Sequence, residues 1–305
     1  MANVLKDRVT LIGLVIFLIL IFVPQIFSPY VVGTFTIALY FAVFVMSWDL
    51  LFGYSGEVNF GPTFQIGIGA YTAAILNINT QLPLSVCIAL GAVAAVAAGL
   101  FLVAPALRLR GPYFGLITLV SVLLLEQFVT IFAQYTGGEI GLSVPGIISV
   151  SSKTNFYFAL LFCAFSATVL LVIAKSPIGL ILQASAQDPT EAESLGFNIT
   201  KYKVLAFAIS ALFSGLSGAL LVFYLGTASV SLVVSIAVVL QIIISAIIGG
   251  RRTIIGPILG AFFIILLREW LQPLGQLNYV VVSIMGLIVL LFLPNGIISL
   301  FLRKN

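Results

Sequence analysis

The chain has 305 residues, of which 62% are hydrophobic and only 7% charged, with no histidine and a formal charge of +4. Soluble domains average about half apolar and about a quarter charged residues, so a soluble globular fold is excluded. The apolar runs are long and do not alternate with polar residues, which excludes the roughly 10-residue strands of a membrane barrel and requires crossing helices of about 20 residues.

The N-terminal run KDRVTLIGLVIFLILIFVPQIF has the basic and apolar regions of a signal peptide but no small-x-small cleavage site. It predicts a retained first helix over 10–27. Further spans are predicted over 31–52, 60–79, 83–106, 113–134, 156–174, 204–225, 232–249, 254–272 and 278–300, about ten crossings in an all-α helix bundle. Loops rich in Lys and Arg stay cytoplasmic. An N-terminus inside the cell then places Lys6, Arg8, Arg108, Arg110, Lys175, Lys201, Lys203, Arg251, Arg252, Arg303 and Lys304 on the cytoplasmic side, with Lys153 outside and Arg268 near the outer end of its helix. Both termini are cytoplasmic on this reading, which needs the third span even though its glycines and polar groups predict a broken helix. The positive charge follows the membrane and gives no reason to expect a nucleic-acid partner. Cys87 and Cys163 lie in separate runs without metal-ligand spacing and read as buried small hydrophobes. Residues 1–305 read as one transmembrane domain, and the absence of a G-x-x-x-x-G-K-[ST] loop puts any ATP hydrolysis on another chain.

Three places depart from plain hydrocarbon. The first is GYSGEVNFGPTFQIGIGAY, from Gly53 to Tyr71. Gly53, Gly56 and Gly61-Pro62 would end one helix and begin another, leaving Ser55, Glu57, Asn59 and Gln65 near the junction. Irregular backbone at membrane depth is tolerated where it is buried in protein or lines a cavity, and broken helices form substrate paths in transporters. Ser55, Gly56, Asn59, Gly61 and Gln65 are therefore candidates for a translocation path. The alternative is a cytoplasmic turn followed by a helix whose Gly67-x-Gly69-Ala70 packs tightly on its neighbours; the two readings are compatible. A second break, IIGGRRTIIGPILGAF, again places Gly-Pro before a small-residue helix and hints at internal duplication.

The second departure is a small set of ionisable groups within the runs, which by default are functional candidates. Asp49, beside Trp48 near the end of its span, reads as snorkelling to the interface. Glu126 with Gln127 sits deeper and reads as facing a cavity, either as a substrate contact or as a hydrogen bond to a neighbouring helix. Arg268-Glu269 completes the set.

The third is the polar island KSPIGLILQASAQDPTEAESLGFNITKYK, from Lys175 to Lys203. Within it Asp188-Pro189-Thr190-Glu191 supplies an N-cap, a proline at the first helical position and a carboxylate at the third, predicting a short helix over about Pro189–Leu195 that Gly196 stops. Such a helix either docks into a partner or is a solvated connector. Asn198-Ile-Thr200 matches a glycosylation sequon by chance, given a cytoplasmic location.

Taken together, LLFGYSGEVNFGPTFQIGIGAYTAA, LRLRGPYFGLITL, TGGEIGL, the Ser176–Leu220 stretch, IIGGRRTIIGPILGA and the final LFLPNGI occur in order from about Trp48 to Ile298. In this they resemble the permease subunits of ABC importers for branched-chain amino acids, and more closely the M-type than the H-type permease. The resemblance implies that Lys175–Lys203 is a coupling element docking on a cytoplasmic ATPase, with Asp188, Glu191, Glu193 and Gly196 as the matching positions. It also implies a second permease subunit, homologous but different, two ATPase subunits that hold the ATP, and an extracytoplasmic binding protein, all assembled at the cell (plasma or inner) membrane. No catalytic residue, metal or cofactor is expected on this chain. It departs from the family at Pro62, where histidine is common after the glycine, and near Glu57, where Gln or a similar residue is. Importers of urea and short-chain amides use similar permeases. The competing mechanism is a proton- or sodium-coupled secondary transporter with Glu126 or Asp49 as the ion site. An enzyme has no support from a chain without histidine, a ligand cluster or a nucleophile beside a base.

Overall fold

Apolar runs become helices in a membrane because only a helix satisfies its own backbone hydrogen bonds within one segment. The computed structural model describes residues 2–80, 82–106, 112–275, 277, 280–281, 284, 286, 288 and 296–298, with side chains left out for 2–9, 104–106, 112 and 274. The predicted span 278–300 and the LFLPNGI motif therefore fall largely outside the described residues. So do Arg108, Arg110, Arg303 and Lys304, and the side chains of Lys6 and Arg8.

In chain order, α1 (Ala2–Leu20) and the short α2 (Val23–Ile26) precede α3 (Pro29–Asp49), which runs on into a π-helical turn over Leu50–Tyr54. After a break come α4 (Pro62–Asn79), α5 (Leu84–Ala106), α6 (Pro112–Ile131) and α7 (Ala133–Thr136). Next are α8 (Ser152–Lys175), α9 (Pro177–Gln187), α10 (Pro189–Ser194) and α11 (Ile199–Leu225). The chain continues through α12 (Val230–Val233), α13 (Ile236–Gly249), α14 (Ile255–Trp270) and a 3-10 turn at Gln272–Leu274. A two-residue antiparallel ribbon, β1 (Leu142–Ser143) with β2 (Thr227–Ala228), pairs Leu142 with Ala228.

Among the described residues, six helical stretches are long and apolar enough to cross a membrane: Pro29–Tyr54, Leu84–Val103, Tyr113–Ile131, Ser152–Lys175, Ile199–Leu225 and Val230–Gly249. The architecture is thus an all-α, polytopic one. The predicted spans 60–79 and 254–272 become α4 and α14, which are not among the six. α14 has 16 residues, and α4 gives up bulky apolar side chains for glycine and polar groups that it buries against protein.

The chain divides into two compact units, one formed by 1–49, 149–169 and 241–305, the other by 50–148 and 170–240. In the first, α14 lies along α3, and Gly13 of α1 leaves room for Ile255. The α13–α14 turn is drawn close by glycines: a Cβ on Gly260 would stand 1.8 Å from the Ser245 carbonyl oxygen. Glu269 accepts a hydrogen bond from the Tyr30 hydroxyl. Asp49 does not reach out to solvent as its position near the end of a predicted span implied. It is fully buried, and the 250–254 loop of its own unit closes over it. Its carboxylate accepts from Arg252 N at 3.0 Å and Ile254 N at 3.4 Å. Both donors have positive φ, 66° and 57°, a conformation that costs non-glycine residues energy and that is an outlier for a β-branched one.

In the second unit α4 is the centre, flanked by α5 and α11. A Cβ on Gly69 would lie 2.6 Å from Gly215 Cα, one on Gly91 2.5 Å from the Gly69 oxygen, and one on Gly218 2.5 Å from the Ile66 oxygen. The small-residue stripe thus lets three backbones touch, and van der Waals contact between backbones is the main attraction available where lipid is as apolar as the protein. Cys87 and Cys163 are buried free thiols. At one end of this unit Phe60 N donates to Thr118 Oγ1 (3.0 Å). At the other, Gly146 N donates to Asn77 Oδ1 (3.1 Å) and the β1–β2 ribbon closes. Replacing Gly69 with valine is expected to overpack this seam and cost about 1–3 kcal/mol, measured as a lower thermal unfolding midpoint in detergent than that of the parent chain.

Candidate functional site

The break between α3 and α4 is built by side chains that take over backbone partners. The Ser55 hydroxyl donates to the Leu51 oxygen (2.6 Å), ending the π turn. Gly56 N still reaches the Phe52 oxygen (3.1 Å), and Gly56 then turns the chain with φ +73°, a conformation that glycine adopts without steric cost. Asn59 Oδ1 accepts from Gly61 N (2.8 Å), and Pro62 opens α4 at a position that needs no N–H. Gly61 sits against α6, where a Cβ would stand 2.5 Å from the Thr118 carbonyl oxygen. Gly56, Asn59 and Gly61 are therefore brought together in one short non-helical segment, which Ser55 opens as the last helical residue before it.

Gln65 follows one turn into α4. It is 0% exposed, and neither its amide oxygen nor its amide nitrogen has a hydrogen-bond partner among the described residues; the same holds for the hydroxyls of Thr63 and Tyr71 on the same helix. A buried polar group without a partner costs about 1–3 kcal/mol, so α4 keeps these groups at the expense of its own stability. Glu126 and Gln127 are not brought into this cluster. They lie about two turns beyond Thr118 on α6, Glu126 half-buried and Gln127 exposed, and no described residue hydrogen-bonds to the Glu126 carboxylate.

The Lys175–Lys203 segment occupies the same end of the second unit as the break. Ser176-Pro177 starts α9, which buries Gly179, Leu182 and Ser185. Asp188 then caps α10, its Oδ1 accepting from Thr190 N (2.8 Å) and Glu191 N (3.1 Å). Gly196 turns the chain away with φ +85° and open space around it, and Asn198 caps α11 by accepting from Lys201 N (3.0 Å). Ala192 and Ile199 anchor the segment inward, whereas Asp188, Glu191, Glu193 and Gly196 are all exposed. Two apolar side chains stand out among these acids, Leu195 at 73% and Phe197 at 41% exposure.

Sequence reasoning missed Leu195 and Phe197, although Leu-Gly-Phe is an apolar interruption of an otherwise polar stretch. It also missed α9, for which Ser176-Pro177 was the available start signal. Lys203, read only as a marker of topology, is in fact ion-paired: its Nζ lies 2.5 Å from Glu57 Oε1 in the break. Beside this pair, a Cβ on Gly56 would lie 3.1 Å from Ala186 Cβ at the end of α9.

This arrangement of an exposed, capped acidic helix beside a broken membrane helix was compared with known proteins. The model of the family described as the permease component of the branched-chain amino acid transport system matches residues 30–293. The chain is 27% identical to the high-affinity branched-chain amino acid transport system permease protein LivM of Escherichia coli K12, over 93% of this chain and 75% of that protein. It is also 27% identical to LivM of Salmonella typhimurium LT2, over 87% of this chain and 69% of that protein. A third relative, the guanosine ABC transporter permease protein NupQ of Bacillus subtilis 168, is 27% identical over 54% of this chain and 58% of its own length. With a match that runs through all but the ends, the chain belongs to the family of branched-chain amino acid transport permeases, as a multi-pass membrane component and not an enzyme.

Proposed function

We propose that this permease works as the M-type subunit of an ATP-driven importer, with the Lys175–Lys203 segment docking on cytoplasmic ATPases. The observation that carries the reading is α10: capped by Asp188, exposed along Glu191 and Glu193, and followed by exposed Leu195 and Phe197. Apolar anchors ringed by charge are the usual make-up of a docking surface. The partners are a second, homologous permease, two ATPase subunits and an extracytoplasmic binding protein. ATP stays on the ATPases.

The orientation is about ten crossings with both termini in the cytoplasm. It is supported by the gathering of the break and the inner loop at one end of the second unit, with the Asn77–Gly146 contact and the ribbon at the other. The path runs past Ser55, Gly56, Asn59, Gly61 and Gln65, with Glu126 and Gln127 further along. The unpartnered amide of Gln65 supports it, since a group left unsatisfied in one arrangement of the helices favours any arrangement that satisfies it. Binding protein outside and ATP-bound ATPases inside would bias these arrangements by their differential affinity. A secondary transporter would need an acid free to bind an ion; Asp49 is occupied in holding the 250–254 turn, which leaves Glu126 as the ion site of that reading.

The cargo is a small amino acid with a branched apolar side chain. The likeness to NupQ over about half of the chain favours a nucleoside as the second reading. Uptake into vesicles decides between them. Labelled leucine is expected to enter only with the full set of subunits and internal ATP, and guanosine is not; uptake by this chain alone, collapsed by an uncoupler, would refute the ABC reading. Exchanging Glu191 and Glu193 for lysine is expected to abolish co-purification of the ATPases while membrane insertion is unchanged. Gln65→Leu is expected to leave thermal stability equal or raise it by about 1–3 kcal/mol, yet to stop uptake. Unimpaired uptake would remove Gln65 from the path.

A further inference from the structure

The two ends of the docking segment touch two adjacent residues of the break. Ala186 lies two residues before the Asp188 cap, and its Cβ faces Gly56. Lys203 lies in the second turn of α11, just after the segment returns, and pairs with Glu57. α10 is thus bracketed by contacts to Gly56 and Glu57, which lead into the break separately from the packing of α11 on α4 and α5.

We propose that Glu57, Lys203 and the Gly56–Ala186 contact form a joint that carries movement of the docking segment into the helix break ahead of α4, making Glu57 and Lys203 positioning residues for transport. The proposal rests on the reading that α10 docks on the ATPases. Three features suit the joint to this task. The pair is largely shielded, with 13% of the Lys203 side chain and 20% of the Glu57 side chain exposed, and attraction between charges rises as water is excluded. Each partner stands on a stiff support: Lys203 on a capped helix, and Glu57 between the Ser55 hydroxyl, which accepts from Glu57 N (3.4 Å), and the Asn59–Gly61 hydrogen bond. Finally, Gly56 at φ +73° has no side chain of its own to resist a change of backbone angle, so the break can rotate there while α4, with Gln65 in its first turns, moves as a rod.

A mere fastener would hold the fold without linking ATP use to transport, and the two roles separate in one experiment. Vesicles holding the complete importer are prepared with Glu57→Gln, with Lys203→Met, and with the exchange Glu57→Lys plus Lys203→Glu. Leucine uptake, ATP hydrolysis and ATPase co-purification are followed together. Each single variant is expected to keep its ATPases and go on hydrolysing ATP while uptake per ATP falls about tenfold, a typical coupling between sites. The exchange is expected to recover most of that ratio. Uptake and hydrolysis that fall in step, or an exchange no better than the worse single variant, would overturn the joint. Failure of the docking reading shows elsewhere, as ATPases that still co-purify with the Glu191→Lys, Glu193→Lys chain, and the uptake-to-hydrolysis ratio judges the joint in either case.

Discussion

Backbone that leaves a helix within a membrane must find its hydrogen bonds inside the protein, because hydrocarbon offers none. Two breaks in this chain meet that demand differently. Between α3 and α4 the acceptors are neutral: Ser55 and Asn59 each accept from a residue two positions on, and Thr118 lends its hydroxyl from α6. Between α13 and α14 the turn through Gly250–Ile254 places two non-glycine residues in left-handed conformation, and a full carboxylate, Asp49, receives their N–H groups. Burying an acid is expensive, and here the cost is offset by charge-assisted hydrogen bonds to a turn that Thr253 also braces, its hydroxyl donating to the Gly250 oxygen and accepting from Gly256 N.

The same constraint explains what could be read in advance. The long apolar runs became helices because in a membrane composition and length nearly determine secondary structure. Both Gly-Pro sites were visible as helix starts, and α10 was visible in Asp188-Pro189-Thr190-Glu191 because capping is a matter of three neighbouring residues. What stayed hidden depends on distant partners. Asp49 looked like an interfacial acid, since its acceptors' donors lie 203 and 205 residues away. Lys203 looked like a topological charge, since Glu57 is 146 residues away. The two-residue strands of the ribbon are too short to carry a period, and α9 is a single helix of 11 residues inside a segment whose charges mark it as a loop.

α4 shows how membrane packing and function compete for one helix. Its glycines draw α5 and α11 into backbone contact, which would favour a static bundle, while Gln65, Thr63 and Tyr71 bring unpartnered polar atoms into the same bundle. A helix selected for stability alone would carry leucine there. Close contact and polar dissatisfaction thus meet on one element, held tightly by backbone packing while three of its polar side chains have atoms without a partner among the described residues.

The long sequence separations have a consequence for biosynthesis. α4 is made with its polar groups and glycines before α11, the helix that covers much of it. At roughly 5–20 residues per second, the 146 residues between Glu57 and Lys203 take about 7–30 s to synthesise. Through that interval α5 and α6, made next and both packed on α4, are the long helices of its unit that can shield it. The early chain must therefore survive in the membrane with the contacts of α11 on α4 still missing, exposed to whatever membrane quality control acts on unfinished chains.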